Sequence, residues 1–334
     1  MVLATVYDTF GSTYSKAGHR IVIAANGDYQ GLVSGGCLEG DLAERARRVL
    51  DERRAIAVTY DLRDEADELW GLGIGCNGLI RVFLQPLFAE DHYEPFASIA
   101  ECLLADRRAA VATVIEAAGE ETVPGATLIR RSGETLQRGR LADPAADRLA
   151  SGCDEVLETG AGRYVSEAFG GVLYALLKPV PRLLVLGAGL DAIPLVNLAS
   201  DLGWLVTVAD HRPGYIARGG FERAVLALVV DPAALAASIE IERFDAVIVM
   251  SHHLGTDRTY LAALAGLDLA YLGVLGPPAR KRRLLEELGE AGRLLSGLRG
   301  PVGLDIGADS PESIALSIVA ELQAVFASVA LPQK

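Results

Sequence analysis

The run Gly187-Ala188-Gly189-Leu190-Asp191-Ala192 constrains this chain more than any other stretch. It follows an apolar segment at 182–186 and opens a helical one, so strand, glycine turn and helix succeed one another. Glycine permits the tight turn and a close backbone approach, and Ala192 in the third small position still allows helix–sheet packing. Apolar segments at 205–209, 224–230, 246–250 and 271–275 then alternate with helical stretches, the pattern of βαβ units and a parallel sheet. In the last helix Ser310 suits the N-cap and Pro311 the first position, and Ile314, Ile318, Leu322, Val325 and Val329 share one face. The second half is therefore expected to be a Rossmann-like parallel-sheet domain.

Ligand binding there is a separate matter. Asp210 ends the next expected strand, where a carboxylate can meet a ribose hydroxyl, and Arg212 can favour a 2′-phosphate or another anion. On that reading Gly187 and Gly189 hold NAD(P); on the other they only permit the turn. Three more loops are expected at the carboxyl edge of the sheet. His252-His253 with Asp257 is either an acid/base or ligand pair, or a loop histidine with a carboxylate near a helix start. Arg280 and Lys281, followed by Arg282 and Arg283, either meet phosphate or form a solvated helix face. Asp305 precedes the last helix and is expected to turn the chain.

The first half reads as mixed α/β. Strands are expected at 3–7, 20–25, 30–33, 55–60, 79–84 and 172–177, with Asn26-Gly27 as a hairpin turn. Leu38, Leu42, Ala46, Val49 and Leu50 recur at helical spacing. Residues 61–68 are charged and expected to be exposed, and a less regular region follows, marked by turns at Pro124-Gly125 and Ser132-Gly133. Pro179-Val180-Pro181 is the linker candidate, which gives domains at 1–178 and 179–334.

Bulk properties exclude some classes. With 31 Lys+Arg against 44 Asp+Glu the formal net charge is −13, which argues against nucleic acid as a general partner. No apolar run approaches the ~20 residues of a membrane helix, and the start lacks the form of a signal peptide, so a cytoplasmic protein is expected. The four cysteines form no CxxC pair, which removes zinc-ribbon and thioredoxin readings and favours free thiols.

Two of those cysteines sit among glycines, in Ser34-Gly35-Gly36-Cys37-Leu38-Glu39-Gly40 and in Gly73-Ile74-Gly75-Cys76-Asn77-Gly78. Cys37 precedes or begins a helix, where free N–H groups and partial positive charge favour a thiolate. Gly35 and Gly36 allow successive N–H groups to curl around an anion. Glu39 either orients a ligand or favours the helix start electrostatically. Cys102 fits a small buried side chain, and Cys153 follows a Ser-Gly turn.

Together these blocks resemble the xanthine dehydrogenase accessory proteins of the XdhC/CoxI type. The resemblance is carried by Ala4-Thr5-Val6 with Gly11-Ser12, the Cys37 and Cys76 loops, Gly187-Ala188-Gly189, Asp210-His211-Arg212-Pro213, Ser251-His252 with Asp257, and Tyr271-Leu272-Gly273. It continues through Pro301-Val302-Gly303-Leu304-Asp305-Ile306-Gly307-Ala308 and Ser310-Pro311-Glu312-Ser313-Ile314-Ala315. It implies a chaperone that binds the molybdenum cofactor in its molybdopterin form and protects it during sulfuration. It also implies insertion into an apo molybdenum hydroxylase, a cysteine desulfurase as sulfur donor, and a homodimer. Under that resemblance Cys37 is the candidate molybdenum contact and Cys76 a second wall of the same site. The Rossmann-like half is then the other side of the pocket.

Two departures stand out. The family usually carries a helix before the Ala-Thr-Val strand, whereas this chain begins almost at the strand, leaving a truncated start or an edge for a partner. Pro277-Pro278 also replaces the family's serine after Gly276, so a phosphate contact there needs Arg280 or Lys281.

Overall fold

The structure is a computed structural model that describes residues 1–62, 78–131 and 133–328. Residues 63–77, with Cys76 and its preceding glycines, lie outside the described residues, as do Ser132 and Val329. The chain divides into two units, Met1–Pro179 and Val180–Lys334.

The first unit holds two antiparallel five-stranded sheets. One contains β1 (Val2–Gly11), β2 (Arg20–Ile23), β3 (Tyr29–Gln30), β4 (Ile56–Asp61) and β5 (Gly78–Pro86), in the order β3-β2-β1-β5-β4. The hairpin at Asn26-Gly27 forms, with Gly27 at φ +94° and Ile23 opposite Tyr29. Its second strand is only two residues long, shorter than expected, because the chain turns away at Gly31 (φ +97°). β1 pairs with β2 over Val2–Thr5 and with β5 over Val2–Gly11, so at the start of the strand both of its edges are occupied.

The second sheet occupies the region read as less regular. It contains β6 (Ala109–Val114), β7 (Thr127–Arg131), β8 (Glu134–Arg138), β9 (Arg163–Glu167) and β10 (Gly170–Leu177), in the order β8-β7-β6-β10-β9. β6 is buried along its whole length, so its sequence shows none of the polar–apolar alternation that marks a half-exposed strand.

Alternation within strands sorts the side chains into layers. Val2, Ala4 and Val6 of β1 face α1 (Glu39–Asp51), which contributes Leu42, Ala46 and Val49. Leu3 and Tyr7 point the other way, into a core shared with Val111, Leu173 and Ala175 of the second sheet and with Cys102 of α2 (Phe96–Leu104). The far face of that sheet carries α3 (Asp143–Thr159), where Leu149, Cys153 and Val156 pack on Ala112, Val114 and Tyr174. The unit is thus a helix–sheet–sheet–helix stack. Cys153 belongs to α3, not to a turn, because Pro144 starts that helix and Gly160 ends it in the left-handed region (φ +72°).

The second unit is a five-stranded parallel sheet of β11 (Arg182–Leu186), β12 (Leu205–Asp210), β13 (Leu226–Val229), β14 (Ala246–Val249) and β15 (Tyr271–Val274), in the order β13-β12-β11-β14-β15. Helices cover both faces. α4 (Ala192–Asp201) and α10 (Pro311–Phe326) pack on Leu183, Val185 and Ile248. α7 (Leu254–Leu264) and α8 (Pro278–Leu288) pack on Leu184, Leu186 and Val249. α5 (Pro213–Ala217), α6 (Leu235–Ser238) and α9 (Glu290–Arg293) are short. Ser310 caps α10 through a reciprocal bond with Ser313, with Pro311 at the helix start. Strand order reverses between β11 and β14, so their carboxyl ends define the switch-point crevice of an open α/β sheet. Among the described residues no helix is long and apolar enough to cross a membrane.

Candidate functional site

In the first unit the chain bends sharply between β3 and α1. Gly35 (φ +76°) and Gly36 (φ +114°) take backbone conformations open to glycine but strained for other residues. The bend gathers amide N–H groups, as expected for an anion nest, but the anion is the chain's own. Glu39, 1% exposed, accepts from the N–H groups of Val33 at 2.8 Å, Ser34 at 2.9 Å and Gly36 at 3.0 Å. The Ser34 hydroxyl donates to it at 2.6 Å and accepts from the Leu38 N–H at 2.8 Å. Burial alone would raise this carboxyl's pKa; the bonds from Ser34 and Val33 outweigh it and hold the group below its ordinary value. Glu39 therefore fixes the loop, and its carboxylate is not free to orient a ligand.

What the loop presents is Cys37, exposed just ahead of α1. The thiol borders a small pocket that it shares with Ser12, Thr13, Tyr14, Ser34, Leu62, Gly78 and Ile80. The other described cysteines are buried and inert. Burial pushes the Cys153 thiol up to about 12 and also raises that of Cys102. Cys76 lies outside the described residues, although Gly78, close after it in sequence, lines the Cys37 pocket.

In the second unit the expected residues do gather at the carboxyl edge of the sheet, but their partners differ from those expected. Gly187 (φ +132°) runs so close to β14 that a Cβ there would lie 2.4 Å from the Met250 carbonyl oxygen. Asp210 is fully buried and accepts from the Ala188 N–H at 2.7 Å, the Arg212 N–H at 2.9 Å, and two guanidinium nitrogens of Arg212 at 2.9 and 2.7 Å. Burial opposes its charge, but the Arg212 and Ala188 bonds prevail and lower its pKa. The carboxylate expected at a ribose hydroxyl is thus committed to holding the glycine turn and Arg212.

His252 and Asp257 do not meet. His252, in the left-handed region at φ +63°, places Nε2 2.7 Å from Asp191 Oδ2, across the switch point. His253 caps α7, accepting from the Thr256 N–H at 3.2 Å. Asp257, 1% exposed, accepts from the Ser251 hydroxyl at 2.5 Å and from Arg280 at 2.6 Å. Arg280 is therefore spent on a buried partner, and Pro278, at the first position of α8, starts the helix that carries it. Lys281 packs its stem near Gly300. Arg283 pairs with Glu287 at 2.8 Å, a solvated helix-face contact.

Two residues escaped the sequence reading. Asp191 sits inside the glycine motif and bends over Gly189, so the motif itself held the signal. Arg218, beyond α5, donates to the Ala188 carbonyl of the turn, and nothing in its sequence context marks it. Among the described residues no group of three or more His, Cys, Asp or Glu side chains is placed to hold a metal ion.

The family profile described as the XdhC Rossmann domain matches residues 183–322, and that described as the XdhC and CoxI family matches residues 1–61. A Bacillus subtilis protein, named as a probable subunit of xanthine dehydrogenase, is 33% identical over 336 positions, covering 96% of this chain and 92% of its own length. The Escherichia coli protein named "Molybdenum cofactor insertion chaperone PaoD" is 24% identical over 327 positions, covering 97% of this chain and 83% of its own length. Among solved structures, a Bacillus halodurans protein titled a xanthine dehydrogenase superposes with a TM-score of 0.79 at 31% identity, covering 100% of this chain and 93% of that one.

Proposed function

The chain belongs to the XdhC and CoxI family, and from that premise we propose that it binds the molybdenum cofactor as cargo, protects it during sulfuration and supports its insertion into a molybdenum hydroxylase of the xanthine dehydrogenase type. The observation that carries the reading is Cys37, the exposed thiol among the described cysteines, held at a pocket by a loop that is already braced from within. Sulfur is a soft donor suited to molybdenum and to its sulfido ligand. The whole-length likeness to a protein named as a molybdenum cofactor insertion chaperone supplies the cargo.

Each residue has a separate part. Cys37 meets the metal–sulfur end of the cargo, and Ser34, Gly35 and Gly36 give the loop its shape through Glu39. Cys76 is the second thiol of the reading. Partners of the proposed role are an apo hydroxylase, a cysteine desulfurase and a second copy of the chain, in the cytoplasm. The alternative that the glycine motif and Asp210 suggest, an NAD(P)-dependent oxidoreductase using the Rossmann-like domain, draws no support from the crevice. Its acidic residue, Asp210, is filled by Arg212 and Ala188, and His252 has Asp191 as its partner, not Asp257.

The test is anaerobic purification from cofactor-producing cells, followed by molybdenum and pterin analysis of wild type, Cys37→Ser and Cys76→Ser. Retained cofactor in wild type and its loss in Cys37→Ser are expected. A folded wild type free of both metal and pterin, with no effect on activation of an apo hydroxylase, overturns the proposal.

A further inference from the structure

The two outer strands of the parallel sheet end differently. Along β15 the outer edge is occupied: the Val274 N–H donates to the Arg299 carbonyl at 2.8 Å, and the Arg299 N–H donates to the Leu272 carbonyl at 2.8 Å. Among the described residues no strand pairs with the outer edge of β13. That edge is nevertheless apolar. Val225, just ahead of the strand, is 65% exposed, and Leu226 and Val229 are 48% and 51% exposed. Edge strands are ordinarily protected by charge, by proline or by a covering segment. β8 and β9, the edges of the second antiparallel sheet, carry Glu134 with Arg138 and Arg163 with Glu167 at their ends. β13 has no charged residue between Arg223 and Asp231. An open backbone ladder lined with exposed apolar side chains is a template for another strand.

The sequence of the edge says which strand fits. Arg223-Ala224-Val225-Leu226-Ala227-Leu228-Val229-Val230-Asp231 reads nearly alike in both directions from Ala227. An antiparallel copy centred on Ala227 sets Leu226 opposite Leu228, Val225 opposite Val229 and Arg223 opposite Asp231, and a two-fold axis repeats each pair. Directly opposed side chains are the ones that stabilise an antiparallel pair, apolar with apolar and opposite charge with opposite charge. Arg223 and Asp231 are both exposed. Arg223 also pairs with Asp201 of its own chain at 2.5 Å, which holds it beside the start of the strand.

We propose that a second copy of this chain docks on this edge, β13 against β13 about a two-fold axis at Ala227, joining the two parallel sheets into one continuous sheet. The proposal rests on the preceding reading for the existence of the second copy and gives that partner its surface.

The experiment measures sedimentation velocity and amide hydrogen exchange on the full chain. Wild type is expected to dimerise. Val225→Lys alters an exposed side chain, so it is expected to melt like wild type; it enters the interface twice and is expected to weaken the dimer by about tenfold or more. The amides of residues 225–229 are expected to exchange more slowly in the wild-type dimer than in the monomer that Val225→Lys yields. Arg223→Asp and Asp231→Arg test the register. Each sets like charges opposite one another in its own dimer, whereas an equimolar mixture of the two sets opposite charges at both ends. Each alone is expected to dimerise more weakly than wild type, and the mixture to recover. Arg223→Asp also gives up its pair with Asp201, which mixing does not restore, so recovery reports the contact between copies. A dimer that Val225→Lys leaves intact, or equal exchange at 225–229 in dimer and monomer, overturns the site and leaves the second copy to another surface. Weakening by Val225→Lys with no recovery in the mixture overturns the two-fold register and the proposal with it. Wild type that stays monomeric at every concentration overturns both the site and the second copy.

Discussion

Removing the Glu39 carboxylate tests whether the cysteine loop is braced from within. In Glu39→Ala three backbone amides and the Ser34 hydroxyl lose their acceptor. Val33 is fully buried, so its amide bears the whole penalty of an unmet donor, about 1–3 kcal/mol. Ser34 and Gly36 are closer to solvent and water takes part of their share. A total of about 2–4 kcal/mol is expected, a sizeable part of the ~5–15 kcal/mol that holds a typical domain. For a unit the size of Met1–Pro179 that lowers the melting temperature by about 4–16 °C. Glu39→Gln keeps one accepting oxygen but turns a donor toward the Gly36 N–H, so it falls between. Differential scanning calorimetry gives the shift, and alkylation kinetics at Cys37 report the loop separately. The pH profile adds a sign. Glu39 has a lowered folded-state pKa, so its contribution is present above the unfolded carboxyl pKa of ~4.3 and fades as pH falls through the lower folded value. Glu39→Ala that melts with wild type, keeps its acid profile and leaves Cys37 labelling unchanged refutes the bracing argument.

Other outcomes follow from the same geometry. Native-state alkylation mapped by mass spectrometry is expected to modify Cys37 and spare Cys102 and Cys153 until the chain is unfolded. Gly187→Ala forces a Cβ to within 2.4 Å of the Met250 carbonyl at a φ of +132°, and a loss of more than about 2 kcal/mol is expected in the denaturation of the second unit. Tyr271→Phe removes the hydroxyl that donates at 2.5 Å to buried Glu321, which keeps its bond from the Gly303 N–H at 2.7 Å; urea titration is expected to show a loss of about 1–3 kcal/mol. Asp210→Asn is expected to flatten the acid limb of stability, since the folded Asp210 pKa is lowered and its stabilisation fades only as pH drops below the ordinary carboxyl range.

The second half was legible because each of its signals acts locally. Strands 182–186 and 205–209 are short apolar runs between turns, and the Ser310-Pro311 start fixes α10 within its own first turn. Of the second antiparallel sheet only β10, expected at 172–177, was legible. Its central strand β6 reads Ala-Ala-Val-Ala-Thr-Val and is covered on both faces, so no periodicity distinguishes it from a helix segment. α3 was missed although Asp143-Pro144 opens it and Gly160 closes it, because Gly152 inside it reads as a breaker; in the fold that glycine makes room for the Tyr174 ring. At the sites, the residue types were found but not their pairing. Nothing in the spacing of Asp210 and Arg212 says that the two neutralise each other, or that Asp191 reaches His252 from another loop. Those choices are made by tertiary approach at the strand ends.

Glu39 and Asp210 each fill a glycine-bearing turn with a charge from the chain itself. Many nucleotide-binding loops leave such amides for a guest, and their order depends on its arrival. Here the chain itself satisfies the Val33, Ser34 and Gly36 amides at one bend and the Ala188 amide at the other, so neither bend depends on a guest for its shape. Under the proposed carrier role, a cargo would add stability only by mass action, as RT ln(1 + [L]/Kd), and its release would leave both bends in place.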